Sequence, residues 1–279
     1  MARPDVAMHV VHLDHQTRAG ASAEDAAFVA GLAERFLVPC TVARLEEIEP
    51  GLVKAPANIS SRYRAVRQEL FRRVVKENDL SGVLLAHHAD DQAETVLLRL
   101  IRGSSPAGLV GMARETRIGE LRVLRPLLGV GAEQLREYLR GTKQDWREDL
   151  SNASTEYLRN LLRPMIRRDA GLRAGLIALA EACRKYRGWV RGAAPELGAE
   201  FGVGVLREVP GVLAREAARR WLTEAGSPPG KLAEEVLDRL VQMASDAATA
   251  ARQEFPGRVR VRRRGRGIFV EGKDGGADG

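Results

Sequence analysis

The run Gly82-Val83-Leu84-Leu85-Ala86 leads directly into His87-His88-Ala89-Asp90-Asp91-Gln92-Ala93-Glu94-Thr95. A short apolar run bounded by polar residues reads as a buried strand. Acids that follow at once suit the positive end of a helix dipole. A strand that turns directly into a helix is the building unit of an open α/β sheet. Ligands of such sheets bind outside the carboxyl ends of the strands. Asp91 and Glu94 are three apart and so share one helix face. Two carboxylates there can hold an amine or a metal, or can simply complement the helix dipole. The spacing alone leaves both open.

The flanking pattern extends this reading. Val6–Leu13 is apolar, as a buried parallel strand would be. Ser22 and Asp25 resemble a capping box for a helix to Leu37, and Thr41–Leu45 is a short strand. Helices are expected over Ile59–Asn78, Asp90–Arg102 (with Gly103 as C-cap) and Ala132–Leu139, and a strand over Leu121–Leu127. Gly103-Ser104-Ser105-Pro106-Ala107-Gly108 follows a helix rather than opening one and reads as a loop. Beyond residue 155 the pattern turns helical, over Tyr157–Arg168, Leu172–Val190, Val212–Ala225 and Lys231–Ala251. Val203–Val209 is ambiguous between strand and loop. Alternation around Gly265 predicts a β-hairpin over Arg258–Val270, whose arginines either meet phosphates or form a solvated face. The tail from Gly272 is Gly/Asp-rich and expected to be disordered. The expected layout is an α/β domain over 1–170, a smaller, mostly helical accessory domain over 171–271 that ends in the hairpin, and a tail over 272–279.

Hydrophobic residues make up 44% of the 279, enough for a real core. No apolar run approaches the roughly 18 residues of a membrane span, and no signal-peptide h-region is seen, so a cytoplasmic protein is expected. Cys40 and Cys183 are too few and too far apart for a disulfide framework or a zinc site. A net charge of +7 and a pI near 9.8 suit a polyanionic partner such as RNA, a weak signal by itself.

Longer motifs narrow the field. HHADDQAETVLLRLIRGSSPAGLVGM resembles the signature of the tRNA(Ile)-lysidine synthetases, members of the PP-loop (N-type) ATP pyrophosphatase superfamily. VVHLDHQTR resembles that family's His-x-x-His-x-x-Arg element, and Arg125-Pro126-Leu127-Leu128 its RPLL. Trp146-Arg147-Glu148-Asp149, Ser151-Asn152 and Tyr157-Leu158-Arg159-Asn160 with Arg163 resemble its WxED, SN and YxRNxxR block. These matches keep one order, cover residues 6 to 168 well and the remainder loosely. The superfamily's SGGxDS loop, which cradles pyrophosphate after the first strand, does not precede His12, and no Walker-type loop replaces it. The resemblance implies a Rossmann-like parallel sheet of order 3-2-1-4-5, with the first strand central. Without that strand its neighbours lose hydrogen-bond partners on their inner edges. The expectation is therefore a late start or a truncation, with about 25 to 30 residues absent.

The implied activity is a ligase reaction. ATP transfers AMP to the carbon-2 oxygen of the wobble cytidine in tRNA(Ile) with a CAU anticodon. The lysine ε-amine then displaces AMP to give lysidine, and Mg2+ offsets the triphosphate charge. The resemblance assigns Asp91 and Glu94 to the substrate lysine, one of them also accepting a proton. Asp90 is expected to order the loop. Arg64 and Arg67 match an AR-x-x-R helix that meets the phosphates, Arg67 being the favoured catalytic residue. That helix departs from the family at Ser60 and Gln68. His12, His15 and Arg18 would lie near the nucleotide, or serve structurally. Arg159, Asn160 and Arg163 would contact tRNA, or pair with Glu156 or Asp149. Whether the chain forms a homodimer is open. Two other readings remain: a non-catalytic tRNA-binding remnant, favoured by the absent loop, and a tRNA 2-thiolation enzyme, disfavoured by the lack of a C-x-x-C.

Overall fold

A computed structural model of the chain describes residues 6–15, 21–52, 55–147 and 158–271, the side chains of Ala21 and Asn160 excepted. Residues 1–103 with 111–178 form one unit, and residues 104–110 with 179–279 a second.

The first unit opens with β1 (Val10–Asp14), α1 (Ala21–Arg35) and β2 (Cys40–Arg44). β1 and β2 pair in parallel, from Val10 opposite Cys40 to Asp14 opposite Arg44. Ser22 lies inside α1 and is therefore not its cap. After the short α2 (Leu45–Ile48) comes α3 (Ile59–Glu77), capped by the Asn58 side chain, which accepts from the Ser61 N–H at 3.1 Å. Val66, Leu70 and Val74 recur every fourth residue along α3, and this stripe packs with Leu13, Ala43 and Ile48.

The second group of strands begins with β3 (Val83–Leu84), followed by α4 (Ala89–Ile101), β4 (Glu115–Ile118) and β5 (Leu121–Leu124). β5 pairs in parallel with β3 and antiparallel with β4, the hairpin turning at Gly119 with φ +62°. β1–β2 and β3–β5–β4 are separate ladders. Among the described residues no ladder joins them, so β1 and β3 each carry one unpaired side. This corrects the expectation of buried strands. Leu84 is 63% exposed, and Val6 and Met8 are exposed ahead of β1. A parallel strand is buried only when both neighbours and both faces are covered. β5 ends at Leu124, short of the expected Leu127, because Pro126 has no N–H to continue the ladder. β4 escaped the sequence reading because its residues, Glu-Thr-Arg-Ile, are half exposed and mostly polar. Gly103, at φ +71°, follows α4 in the left-handed conformation expected of a helix end.

α5 (Ala132–Gly141), α6 (Leu158–Arg168) and α7 (Ala170–Ala193) complete the helices of this unit, with α7 supplying residues to both. Asp169 separates α6 from α7 and caps the latter, accepting from the Leu172 N–H at 2.9 Å.

The second unit contains β6 (Glu200–Gly202), α8 (Val203–Arg207), α9 (Gly211–Glu224), α10 (Glu234–Ser245), β7 (Arg252–Phe255), β8 (Val259–Arg264) and β9 (Gly267–Val270). The expected hairpin is β8–β9, turning at Gly265 with φ +60°. Two further strands flank it, giving an antiparallel sheet of order β6-β9-β8-β7. The ambiguous 203–209 segment is helical at its start, with Leu206 buried in the core. The single helix expected over Lys231–Ala251 is shorter, running from Glu234 to Ser245, where Asp246 turns extended. Leu222, Leu237, Leu240, Met243, Val261 and Ile268 form a continuous apolar core. Trp221 stacks edge-on against Phe201 and donates to the Gly198 carbonyl at 2.8 Å. Arg263 donates to four carbonyls, those of Met243, Asp246, Ala247 and Thr249, and so closes the carboxyl end of α10. The tail from Gly272 lies outside the described residues.

Candidate functional site

α4 starts where β3 has just left the sheet, and its first turn is unusually acidic and unusually buried. Ala89 donates to the Val130 carbonyl at 2.9 Å. Asp90, 3% exposed, accepts from the Ala132 N–H at 2.8 Å and pairs with Arg173 at 3.3 Å. One carboxylate thus fixes the start of α5 and neutralises a guanidinium from α7. Asp91 caps its own helix, accepting from the His88 N–H at 3.0 Å.

Asp91 and Glu94 do share a face, and α6 covers it. Glu94 is 2% exposed. It accepts from Arg159 Nε at 2.6 Å, and from Arg163 Nε at 2.7 Å and Nη2 at 3.3 Å. Arg159 also reaches Asp91 at 3.3 Å. Arg159 and Arg163, one helical turn apart, therefore close on the acids of α4. Glu148, Asp149, Ser151, Asn152, Glu156 and Tyr157, the other members of that sequence block and the alternative partners, lie outside the described residues, as does the side chain of Asn160. Three carboxylates, Asp90, Asp91 and Glu94, face three guanidiniums, Arg159, Arg163 and Arg173. Buried charges persist only when paired in this way. The set offers both signs of charge side by side, which suits a zwitterion as well as an amine. Among the described residues no group of three His, Cys, Asp or Glu is arranged to hold a metal ion.

The remaining predicted residues are spread more widely. His12 lies within β1, opposite Val42. His15 follows β1 and stacks against Tyr63 of α3, ring centroids 4.7 Å apart. Arg18 lies outside the described residues. Arg64 and Arg67 are both on α3 and exposed. Surrounding protein and the neighbouring Arg64 hold the Arg67 guanidinium below its ordinary pKa even though part of that side chain meets solvent.

Three functional-looking residues were given no role by the sequence reading. Gln92 is 5% exposed and grips Met112 twice, donating to its carbonyl at 2.9 Å and accepting from its N–H at 2.6 Å. Gly111 permits that approach: at φ +65°, a Cβ there would lie 2.7 Å from Gln92 Oε1. His87 and Arg125 stand at the carboxyl ends of β3 and β5. Burial pushes the His87 imidazole below its usual pKa, Arg125, Arg159 and Arg64 act in the same direction, and Asp91 opposes them. The RPLL motif drew attention to Arg125 without indicating what it does.

Comparison with known proteins sharpens the picture. A protein 35% identical over 276 residues is the tRNA(Ile)-lysidine synthase of Thermus thermophilus, the match covering 94% of this chain and 51% of that one. The synthase of Solibacter usitatus is 32% identical over 266 residues, covering 90% and 58%. That of Deinococcus radiodurans is 42% identical over 155 residues, covering 55% and 25%. The chain spans about half the length of the first two of these curated relatives. Among solved structures, the U34-tRNA thiolase NcsA from Methanococcus maripaludis, described with its [4Fe-4S] cluster, superposes with a TM-score of 0.50 at 13% identity, covering 62% of this chain and 60% of that one. That likeness concerns fold alone. Residues 2–170 match the model of the PP-loop domain, and with the strand-to-helix edge built as that fold requires, the chain belongs to the PP-loop family.

Proposed function

We propose that this protein is an ATP-dependent ligase that joins lysine to carbon 2 of the wobble cytidine of tRNA(Ile) with a CAU anticodon. The observation that carries the reading is the half-buried Asp91 beside the buried Glu94 at the carboxyl end of β3, closed over by Arg159 and Arg163. The similarity to tRNA(Ile)-lysidine synthases supports it. In this reading ATP transfers AMP to the carbon-2 oxygen, releasing pyrophosphate. The ε-amine of lysine then forms the new C–N bond and AMP departs. Adenylation is needed because a carbonyl oxygen is a poor leaving group. Any Mg2+ is assigned to the incoming triphosphate, since Asp90, Asp91 and Glu94 each meet an arginine.

The lysine α-amino group would be held by Asp91, whose side chain keeps some access to solvent. Its carboxylate would meet Arg159, the more exposed of the two arginines. Arg163 and Glu94 would stay paired and hold the site in shape. Contact of Arg159 or Arg163 with tRNA would have to compete with these ion pairs, leaving Asn160 and the basic second unit as the further RNA contacts. Arg64 and Arg67 would face the phosphates, and His12, His15 and Arg18 the nucleoside. The catalytic domain is taken as residues 1–170 and the accessory RNA-binding domain as 171–271, in a protein of the cytoplasm. A thiolation role has less support, because the sequence holds only Cys40 and Cys183 and a cysteine-held cluster needs more.

The test is mass spectrometry of anticodon nucleosides after incubating the protein with ATP, lysine and the tRNA transcript. Lysidine is the expected product, and its absence from a folded protein that binds ATP would refute the ligase reading. Asp91→Asn is expected to impair lysine use about tenfold or more with little change in tRNA binding. Equal loss of both would indicate a folding defect instead.

A further inference from the structure

Three consecutive polar side chains, Asp90, Asp91 and Gln92, open α4, and a helix points such neighbours about 100° apart. The outer two are buried and bonded to backbone on different segments. Asp90 takes the Ala132 N–H at the start of α5. Gln92 Nε2 donates to the Met112 carbonyl at 2.9 Å, and its Oε1 accepts from the Met112 N–H at 2.6 Å. Asp91, between them, keeps 16% of its side chain in solvent.

The joint between Gln92 and Met112 is reinforced from both sides. Gly111 stands at φ +65°, and a Cβ there would lie within 2.9 Å of three atoms of the Gln92 amide. Arg99, further along α4, donates to the Gly111 carbonyl at 3.2 Å. From the end of β5, Arg125 Nη1 donates to the Ala113 carbonyl at 3.1 Å, and the Arg125 N–H to the Arg114 carbonyl at 2.7 Å. Residues 111–114 are thus fixed to β5, and Gln92 fixes α4 to them. The sheet alone does not set the helix. β3 is two residues long and, among the described residues, pairs only with β5. Residues 85–88, without regular structure, separate it from α4. Such a connection leaves the helix free to turn about its own axis. On a helix about 10 Å across, a turn of roughly 20° moves a side-chain tip by about 2 Å, more than a hydrogen bond tolerates.

We propose that Gln92 is a positioning residue for amino-acid binding: by locking α4 to the 111–114 segment, it sets the direction in which Asp91 meets the amino group of the substrate. This rests on the ligase reading, in which Asp91 holds the lysine α-amino group. Gln92 touches no substrate and acts through Asp91. The site needs an amide of this length, because a carboxylate offers no donor to the Met112 carbonyl and asparagine is one methylene short.

The experiment measures lysidine formation against lysine and against ATP in two variants. Gln92→Met keeps the length and loses both bonds, and Gln92→Glu keeps the acceptor and loses the donor. In each, KM for lysine is expected to rise about tenfold while KM for ATP stays within about twofold. The NMR signal of the Arg159 Nε–H, which donates to Glu94 in the same cluster as Asp91, is expected to shift as the acids turn. A residue that only stabilised the fold would lower kcat through the folded fraction and leave KM unchanged. Gln92→Met, which buries no charge, covers the case in which Gln92→Glu fails to fold. An unchanged lysine KM in a folded variant, or equal rises for lysine and ATP, would overturn the proposal. Absence of lysidine from the unaltered protein would instead refute the ligase reading, so the two failures are distinguishable.

Discussion

The two units are held together by different physics. In the second, α9 and α10 pack with the β6–β9 sheet around an apolar core that includes Leu206, Leu222, Leu237, Leu240 and Ile268. Its main polar fixture, Arg263, sits on helix-end carbonyls and needs no counter-charge from the core. In the first, the strands are split between two ladders, and the apolar cluster under α3 is small. There α4, α5, α6 and α7 are tied by buried charges, with Glu94 among the most buried large side chains of the described chain. Apolar packing tolerates substitution in rough proportion to the volume lost. Removing one member of an ion-pair network costs more than its volume, because the remaining charges lose a counter-charge that limited solvent access does not fully replace.

Glu94→Ala is the strongest challenge to that contrast. It removes the buried carboxylate that Arg159 and Arg163 share and is expected to destabilise the first unit by about 3 kcal/mol. Hydrogen exchange resolved by segment is the readout, with protection lost in α4 and α6 and kept in α10. Adding Arg163→Ala should recover part of the loss, since coupled partners are not additive. A fully additive double variant would mean that the pair contributes nothing as a pair. Leu240→Ala comes next, at about 3 kcal/mol, with protection lost throughout the second unit. A cost confined to α10 would show that this core is not continuous.

The smallest effect concerns acid. A histidine whose folded pKa lies below the unfolded 6.5 binds its proton more readily when unfolded. Stability is then full above 6.5 and falls as pH drops from there toward the folded value. His87→Gln should flatten that part of the acid limb in denaturant titrations at successive pH values. An unchanged profile would place the acid sensitivity elsewhere.

Much of the first unit could be read from residue order. Gly82–Ala86 followed by an acidic first turn located the β3–α4 edge, and spacing put Asp91 and Glu94 on one face. The residue pattern also placed a helix over Ile59–Asn78, where α3 runs from Ile59 to Glu77. Polar β4 and three-residue β6 were not legible, because pairing and not composition makes them strands. Val203–Arg207 gave no periodic signal over so short a span, and packing of Leu206 into the core decides its helical form.

What residue order settled was local: where each main helix and strand could form, which side chains share a face, and that a basic, PP-loop-like chain should carry acids at the rim of a sheet. Periodicity acts within a few residues, so such features survive without knowledge of the remainder. Which charge meets which was decided only by the fold. Arg159 lies 65 residues from Glu94 in the chain, and Gln92 lies 20 from Met112. Nothing in the spacing of such residues records the partner, because burial first brings them within Coulombic and hydrogen-bonding range and then makes the pairing obligatory.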